Sequence, residues 1–274
     1  MKTPSALAAC LALALLSSDN SSHTVSGSFL PGRHQVSWAT YERAFPGVFS
    51  YVGPHRKIVA LTFDDGPDDV YTPQILQVLR KLHVRATFFV IGEHVRAYPR
   101  IAQEIVREGH AIGNHTWDHP DLRTVSKERL EWEVTSGDRE LVRATGLHTN
   151  LFRAPYGAVD ERLLQTLRRL HYHAFNWSVD TNDWRSLPAN RIRTTILHEV
   201  GPGAIILQHS AGGHNERLGG TVQALPDVIR ELRKRGYTFV TIPELLGDAN
   251  ASSRVLRPAK QHGGEKRAHR TKPD

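Results

Sequence analysis

Seven short runs rich in apolar and β-branched residues recur along the middle of the chain, at 58–63, 86–91, 111–114, 151–154, 174–179, 204–208 and 238–242. Several are apolar at consecutive rather than alternate positions, the pattern of strands covered on both faces. Between them the apolar period lengthens to that of a helix. Ile75, Leu76, Leu79 and Leu82 share one helical face behind a start signal at Thr72 and Pro73, and Leu163, Leu164, Leu167 and Leu170 do the same behind Asp160. Leu130, Val134 and Leu141 mark a third helix. Val222, Leu225, Ile229 and Leu232 mark a fourth, which Pro226 either kinks or starts. These leucine stripes read as core.

Strand and helix units in alternation are the signature of an α/β fold. About seven such units predict a distorted or incomplete (β/α) barrel with parallel strands, its site beyond the strand C-termini. A doubly wound open sheet is the competing architecture. The 274 residues, 39% of them apolar, suffice for one compact catalytic domain. The expected organisation is a signal peptide at 1–18, a polar lead segment at 19–56, the catalytic domain at 57–247 and a basic disordered tail at 248–274.

The ends of the chain bear on partners and location. A lysine followed by the apolar run 6–16 and then small polar residues has the order of a secretory signal, and the run is too short for a stable membrane span. The expected location is therefore secreted or bound to the cell wall. Of the formal charge of +7, residues 251–274 hold seven basic against two acidic side chains, a balance of +5. Such a tail suits an anionic cell-wall polymer better than it defines a nucleic-acid site, and no nucleic acid is expected. Cys10 is the only cysteine, so a metal would have to be held by His, Asp or Glu.

Candidate chemistry sits where the strands end. Asp64 and Asp65 close the first run, and adjacent carboxylates repel unless a cation or donor compensates them, although Asp-Asp-Gly-Pro is also ordinary turn chemistry. His115 and His119 are four positions apart, and both would face one ion if the stretch is helical or turns tightly. With sixteen histidines in the chain, such a pair also arises by chance. Arg153 with Tyr156, Asp180 with Asp183 and Trp184, and Leu207 with His209 follow at later strand ends. Taken singly, they read equally as a surface ion pair, a turn cap and a rim histidine.

Together, in this order, the Thr-Phe-Asp-Asp-Gly, His-Thr-x-x-His, Arg-x-Pro-Tyr-Gly, Asp-x-x-Asp-Trp and Leu-x-His elements resemble the polysaccharide deacetylases, carbohydrate esterase family 4, also called the NodB homology domain. The resemblance covers roughly 57–246. It implies that Asp64 is the catalytic base and that Asp65, His115 and His119 hold a divalent metal, commonly Zn2+, with Co2+, Mn2+ or Ni2+ as substitutes. It further implies that Arg153 orients Asp64, the Tyr156 N–H stabilises the oxyanion, and Trp184 and Leu207 wall the acetyl pocket. His209 would be the acid, tuned by Asp183. The implied activity is hydrolysis of N-acetyl groups on GlcNAc residues of a polysaccharide such as peptidoglycan or chitin oligomers. An acetylxylan esterase of the same family and a non-catalytic carbohydrate-binding module are the alternatives. The absence of a His-Glu-x-x-His element weighs against the common zinc protease pattern.

Overall fold

The computed structural model describes residues 36–213, 216–247 and 257–258, all within the unit that runs from Arg33 onward. The expected export signal and most of the basic tail lie outside the described residues. In chain order the elements are α1 (Trp38–Ala44), β1 (Phe49–Ser50), β2 (Ile58–Asp65), α2 (Tyr71–Lys81), β3 (Thr87–Val90), α3 (Gly92–Ala97), α4 (Pro99–Arg107) and β4 (Ala111–Asn114). Then come α5 (Lys127–Thr145), β5 (Leu147–His148), β6 (Leu151–Phe152), α6 (Glu161–Arg169), β7 (His173–Phe175), β8 (Val179–Asp180) and α7 (Ala189–Glu199). The series closes with β9 (Ala204–His209), α8 (Gly219–Lys234), β10 (Thr238–Phe239), α9 (Ile242–Leu245) and β11 (Arg257–Pro258).

The main sheet runs β1-β7-β6-β4-β3-β2-β9-β8, with β10 beside the start of β2, and every pairing in it is parallel. It curls into the incomplete (β/α) barrel that the alternation of periods predicts. The irregularity has a definite place. The apolar run expected as one strand at 174–179 is split: β7 pairs with β6 and β1, whereas β8 pairs with β9 at the other end of the sheet. Residues 176–178 thus carry the chain from one end of the sheet to the other.

Alternation along the strands sorts the core into layers. Ala60, Phe89, Leu151, Phe175, Ile205 and Leu207 fill the barrel interior. Leu61, Phe63 and Ile206 face outward against Ile75 and Leu79 of α2 and Leu225 and Ile229 of α8. Phe152 meets Leu130 and Val134 of α5 and Leu163 and Leu167 of α6. Burying each such side chain contributes about 1.5 to 3 kcal/mol before the entropy of ordering it.

β1 lies in the expected lead segment and pairs with β7. In the expected tail, β11 pairs antiparallel with β5. Helix α2 begins at Tyr71, so Thr72 and Pro73 lie within its first turn; the Asp68 carboxylate accepts the N–H groups of Val70, Tyr71 and Thr72 instead. Pro226 lies within α8 and does not start it. Asp160 does cap α6, taking the Leu163 N–H at 2.7 Å.

Candidate metal and acid–base site

Asp64 and Asp65 end β2, and a regular strand would send their side chains to opposite faces. Asp65 has φ of +71°, in the left-handed region that aspartate tolerates better than most residues. The turn breaks the alternation, so both carboxylates face one rim. Its carbonyl is held by His94, whose Nδ1 donates to Asp65 O at 2.6 Å. Nothing in the spacing of His94 announces this role.

The His115–His119 stretch is a loop, not a helix, with Thr116 at φ +73° and His119 at φ +63°. The loop brings His115 Nε2 to 3.4 Å and His119 Nε2 to 3.5 Å from Asp65 Oδ1. His115 Nδ1 lies 2.7 Å from Arg153 O, a carbonyl that can only accept, so that nitrogen carries hydrogen and Nε2 is the nitrogen left to face Asp65. Burial, with the charge of nearby His115 second, pushes the His119 pKa down to about 4. Its imidazole is therefore uncharged at neutral pH, the form that ligates metals. Asp65 Oδ1 is buried with no hydrogen-bond partner. Three donor atoms from Asp65, His115 and His119 lie within 4.8 Å of one another, and a divalent cation at this point would satisfy the orphaned oxygen.

Beside them, Asp64 is 3% exposed. Arg153 enters the barrel from the end of β6 and is fully buried. Its guanidinium donates to Asp64 Oδ1 at 2.7 Å, to Thr62 Oγ1 at 2.8 Å, and to the carbonyls of Phe175 and Asn176 at 2.8 and 3.2 Å. Phe175 ends β7 and Asn176 follows it, so one side chain both fixes Asp64 and satisfies the irregular backbone. The guanidinium also stacks over Phe89, 4.2 Å from the ring centre. Replacing the whole pair by apolar groups need not destabilise the fold, but Arg153→Ala alone leaves Asp64 buried and unpaired. We expect a loss of about 3 to 5 kcal/mol in urea unfolding; an unchanged midpoint would show that Asp64 does not depend on Arg153.

His209 ends β9, opposite Asp64 in the register of β2 and β9. Its Nδ1 lies 2.7 Å from Asp183 Oδ1, and its backbone N–H donates to Asp183 Oδ2 at 2.9 Å. Thr221 of α8 donates a third bond to the same carboxylate at 2.7 Å. Burial disfavours charge on His209, but the Asp183 carboxylate, with Asp65 and Asp64 farther off, outweighs it and raises the pKa to about 10. The ring is therefore charged at neutral pH. This attraction stabilises the fold fully below the unfolded value of 6.5 and is lost as pH rises toward 10. Asp180 plays a different part: its carboxylate accepts the Asn182 N–H at 2.9 Å, a turn cap.

The remaining named residues stand nearby in the fold. Tyr156 has φ of +60° in a short 3₁₀ turn after Arg153, and its ring lies edge-on to His119 at 4.7 Å. Among the described residues no acceptor takes its N–H. Leu207 is buried inside the barrel, two residues before His209. Trp184 follows Asp183 on the rim and is 43% exposed. No hydrogen bond or ring contact among the described residues ties either of these last two to the metal ligands.

A family model described as polysaccharide deacetylase matches residues 52–175. The chain is 39% identical to a peptidoglycan-N-acetylglucosamine deacetylase of Bacillus cereus over 80% of its length and 82% of that protein. It is 38% identical to a peptidoglycan-N-acetylmuramic acid deacetylase of Bacillus subtilis, over 72% of this chain and 74% of the other. Among solved structures, a peptidoglycan N-acetylglucosamine deacetylase superposes with a TM-score of 0.74 at 37% identity, covering 77% of this chain and 98% of that one. On sequence and fold alike, the chain belongs to the polysaccharide deacetylase family.

Proposed function

We propose that this chain hydrolyses the N-acetyl group of N-acetylglucosamine residues in peptidoglycan, with a divalent ion held by Asp65, His115 and His119. The observation that carries the reading is the buried Asp65 oxygen without a hydrogen-bond partner, flanked by two imidazole nitrogens on the rim that also holds Asp64 and His209. The peptidoglycan substrates named for the relatives support the choice of polymer. Two imidazoles and one carboxylate suit Zn2+, the ion we assign; Co2+, Mn2+ and Ni2+ accept the same donors. When bound, such an ion polarises the acetyl carbonyl and makes neighbouring water more acidic.

The protein's own groups divide the rest. Arg153 occupies Asp64 Oδ1, which leaves Oδ2, 3.8 Å from His115 Nε2, to accept the proton of the attacking water. The Tyr156 N–H meets the oxyanion that develops on the acetyl oxygen. The C–N bond then breaks toward an amine that leaves only if protonated, and His209, charged at neutral pH and oriented at Nδ1 by Asp183, supplies that proton from Nε2. Trp184 and Leu207 are assigned to the wall of the acetyl pocket.

The same reading puts the substrate outside the cell, in keeping with an export signal at 1–18 and with attraction of the basic residues after 248 to an anionic wall polymer. Acetate release from peptidoglycan, chitin oligomers and acetylxylan, measured side by side, tests the substrate. Release should be fastest from peptidoglycan. Faster release from acetylxylan would make the enzyme an O-acetyl esterase and overturn the proposal.

The state of His209 sets the alkaline limit of activity. In Asp183→Asn the neutral amide no longer stabilises the imidazolium, so the descending limb of kcat/KM against pH should move to lower pH, toward the ordinary histidine value near 6.5. An unmoved limb would detach Asp183 from His209.

A further inference from the structure

The loop that carries both histidines holds two non-glycine residues in the left-handed region, Thr116 and His119. Such a conformation persists only where its surroundings fix it. The loop's backbone bonds show what does so. Two of its carbonyls are taken by the start of α3, where Gly92 N–H donates to Thr116 O at 2.9 Å and Glu93 N–H to Trp117 O at 3.0 Å. Two of its N–H groups are satisfied from within: Thr116 donates to Asn114 Oδ1 at 2.9 Å and His119 to Thr116 Oγ1 at 3.0 Å. His115 N–H donates to Val90 O at 2.9 Å, and the remaining two, on Trp117 and Asp118, both donate to a single oxygen, Glu133 Oε2, at 2.8 and 3.2 Å.

Glu133 reaches the loop from α5 and is fully buried. Its other oxygen lies 2.5 Å from Arg129 Nη2, and Arg129 also bonds both oxygens of Asp118, at 3.1 and 2.9 Å. The same helix grips the loop at two more points. Asn114 Nδ2 donates to Val134 O at 2.7 Å. Gly137 leaves room for the loop, since a Cβ there would stand 2.4 Å from Asn114 Oδ1 and 2.9 Å from Thr116 O. Helix α5 contributes no ligand and no acid or base, yet three of its residues fix the segment that bears two ligands.

We infer that Glu133 is a positioning residue for the metal site: by accepting both the Trp117 and Asp118 N–H groups it sets the separation and direction of His115 and His119. This rests on the metal reading above. Asp118 thereby has a place too, as the loop's own partner for the cation that neutralises Glu133.

The test is direct metal binding, with Zn2+ titrated into chelator-treated full-length protein by calorimetry, and the rise in Tm on adding Zn2+ as a second readout. Glu133→Ala should weaken binding about 10- to 100-fold, whereas Glu133→Gln, whose amide oxygen can still accept both N–H groups, should stay within about threefold of wild type. The Zn2+-induced rise in Tm should shrink in Glu133→Ala and persist in Glu133→Gln. If Glu133→Ala does not fold, Gly137→Ala, which keeps the carboxylate and displaces the loop, should weaken Zn2+ binding by itself. Three results overturn the inference: wild-type affinity in Glu133→Ala, or in Gly137→Ala where that variant is the one measured, and equal weakening in the Ala and Gln variants. The last would implicate the charge beside Arg129 rather than the accepted hydrogen bonds. Wild-type protein that binds no Zn2+ would instead defeat the metal reading from which the inference starts.

Discussion

Asp64→Asn should bind metal as the wild type does and lose turnover by about 10² to 10⁴-fold, the usual worth of a positioned general base. The substitution keeps the shape and one oxygen for Arg153 but removes the ability to accept a proton. Metal binding survives because Asp64 is not among the three donors: the orphaned oxygen between the two histidines belongs to Asp65. His119→Ala is the complement, because it leaves the base in place and removes a donor. Paired measurements of bound metal and of acetate released separate the two. Equal loss of metal in both variants would mean that the adjacent aspartates share one role.

His209→Ala should slow hydrolysis of an N-acetyl sugar by about 10² to 10³-fold and leave an activated aryl acetate almost untouched. The contrast follows from the leaving groups. An amine departs only with a proton, whereas an activated phenolate departs without one. His209 is suited to the amide case because the Asp183 carboxylate, held in turn by Thr221, keeps the imidazole charged well above neutral pH. Acetate release from both substrates by the variant and the wild type measures it. If both substrates slow equally, His209 positions the substrate or the fold and is not the acid.

How far the sequence carries can be judged from particular residues. The barrel was legible because buried parallel strands are apolar at every position and the intervening helices show a distinct period; both signals are local. The crossing at 176–178 was not, since a continuous apolar run says nothing about which neighbours its two halves pair with. Helices α3, α4 and α7 also escaped: α4 and α7 each bury only two side chains in a mostly polar stretch, and α3 buries only Gly92 and Val95. At the site, the motifs named residues but not geometry. Four-residue spacing leaves a helix or a tight turn open for His115 and His119, and the chain uses a loop with two residues in the left-handed region. Asp180 and Asp183 read alike by spacing alone; the resemblance names Asp183 as the partner of His209, and in the fold Asp183 lies beside it while Asp180 caps a turn. His94, Thr221 and Glu133 carried no signal at all, because each acts on a residue distant in the chain through a bond that exists only after folding.

The central claim is that hydrolysis depends on a single divalent ion held by Asp65, His115 and His119. Protein stripped by a chelator should be inactive on N-acetylated substrate, and activity should return in proportion to Zn2+ bound, reaching its plateau when each chain holds one ion. Full activity in the metal-free protein would contradict the account.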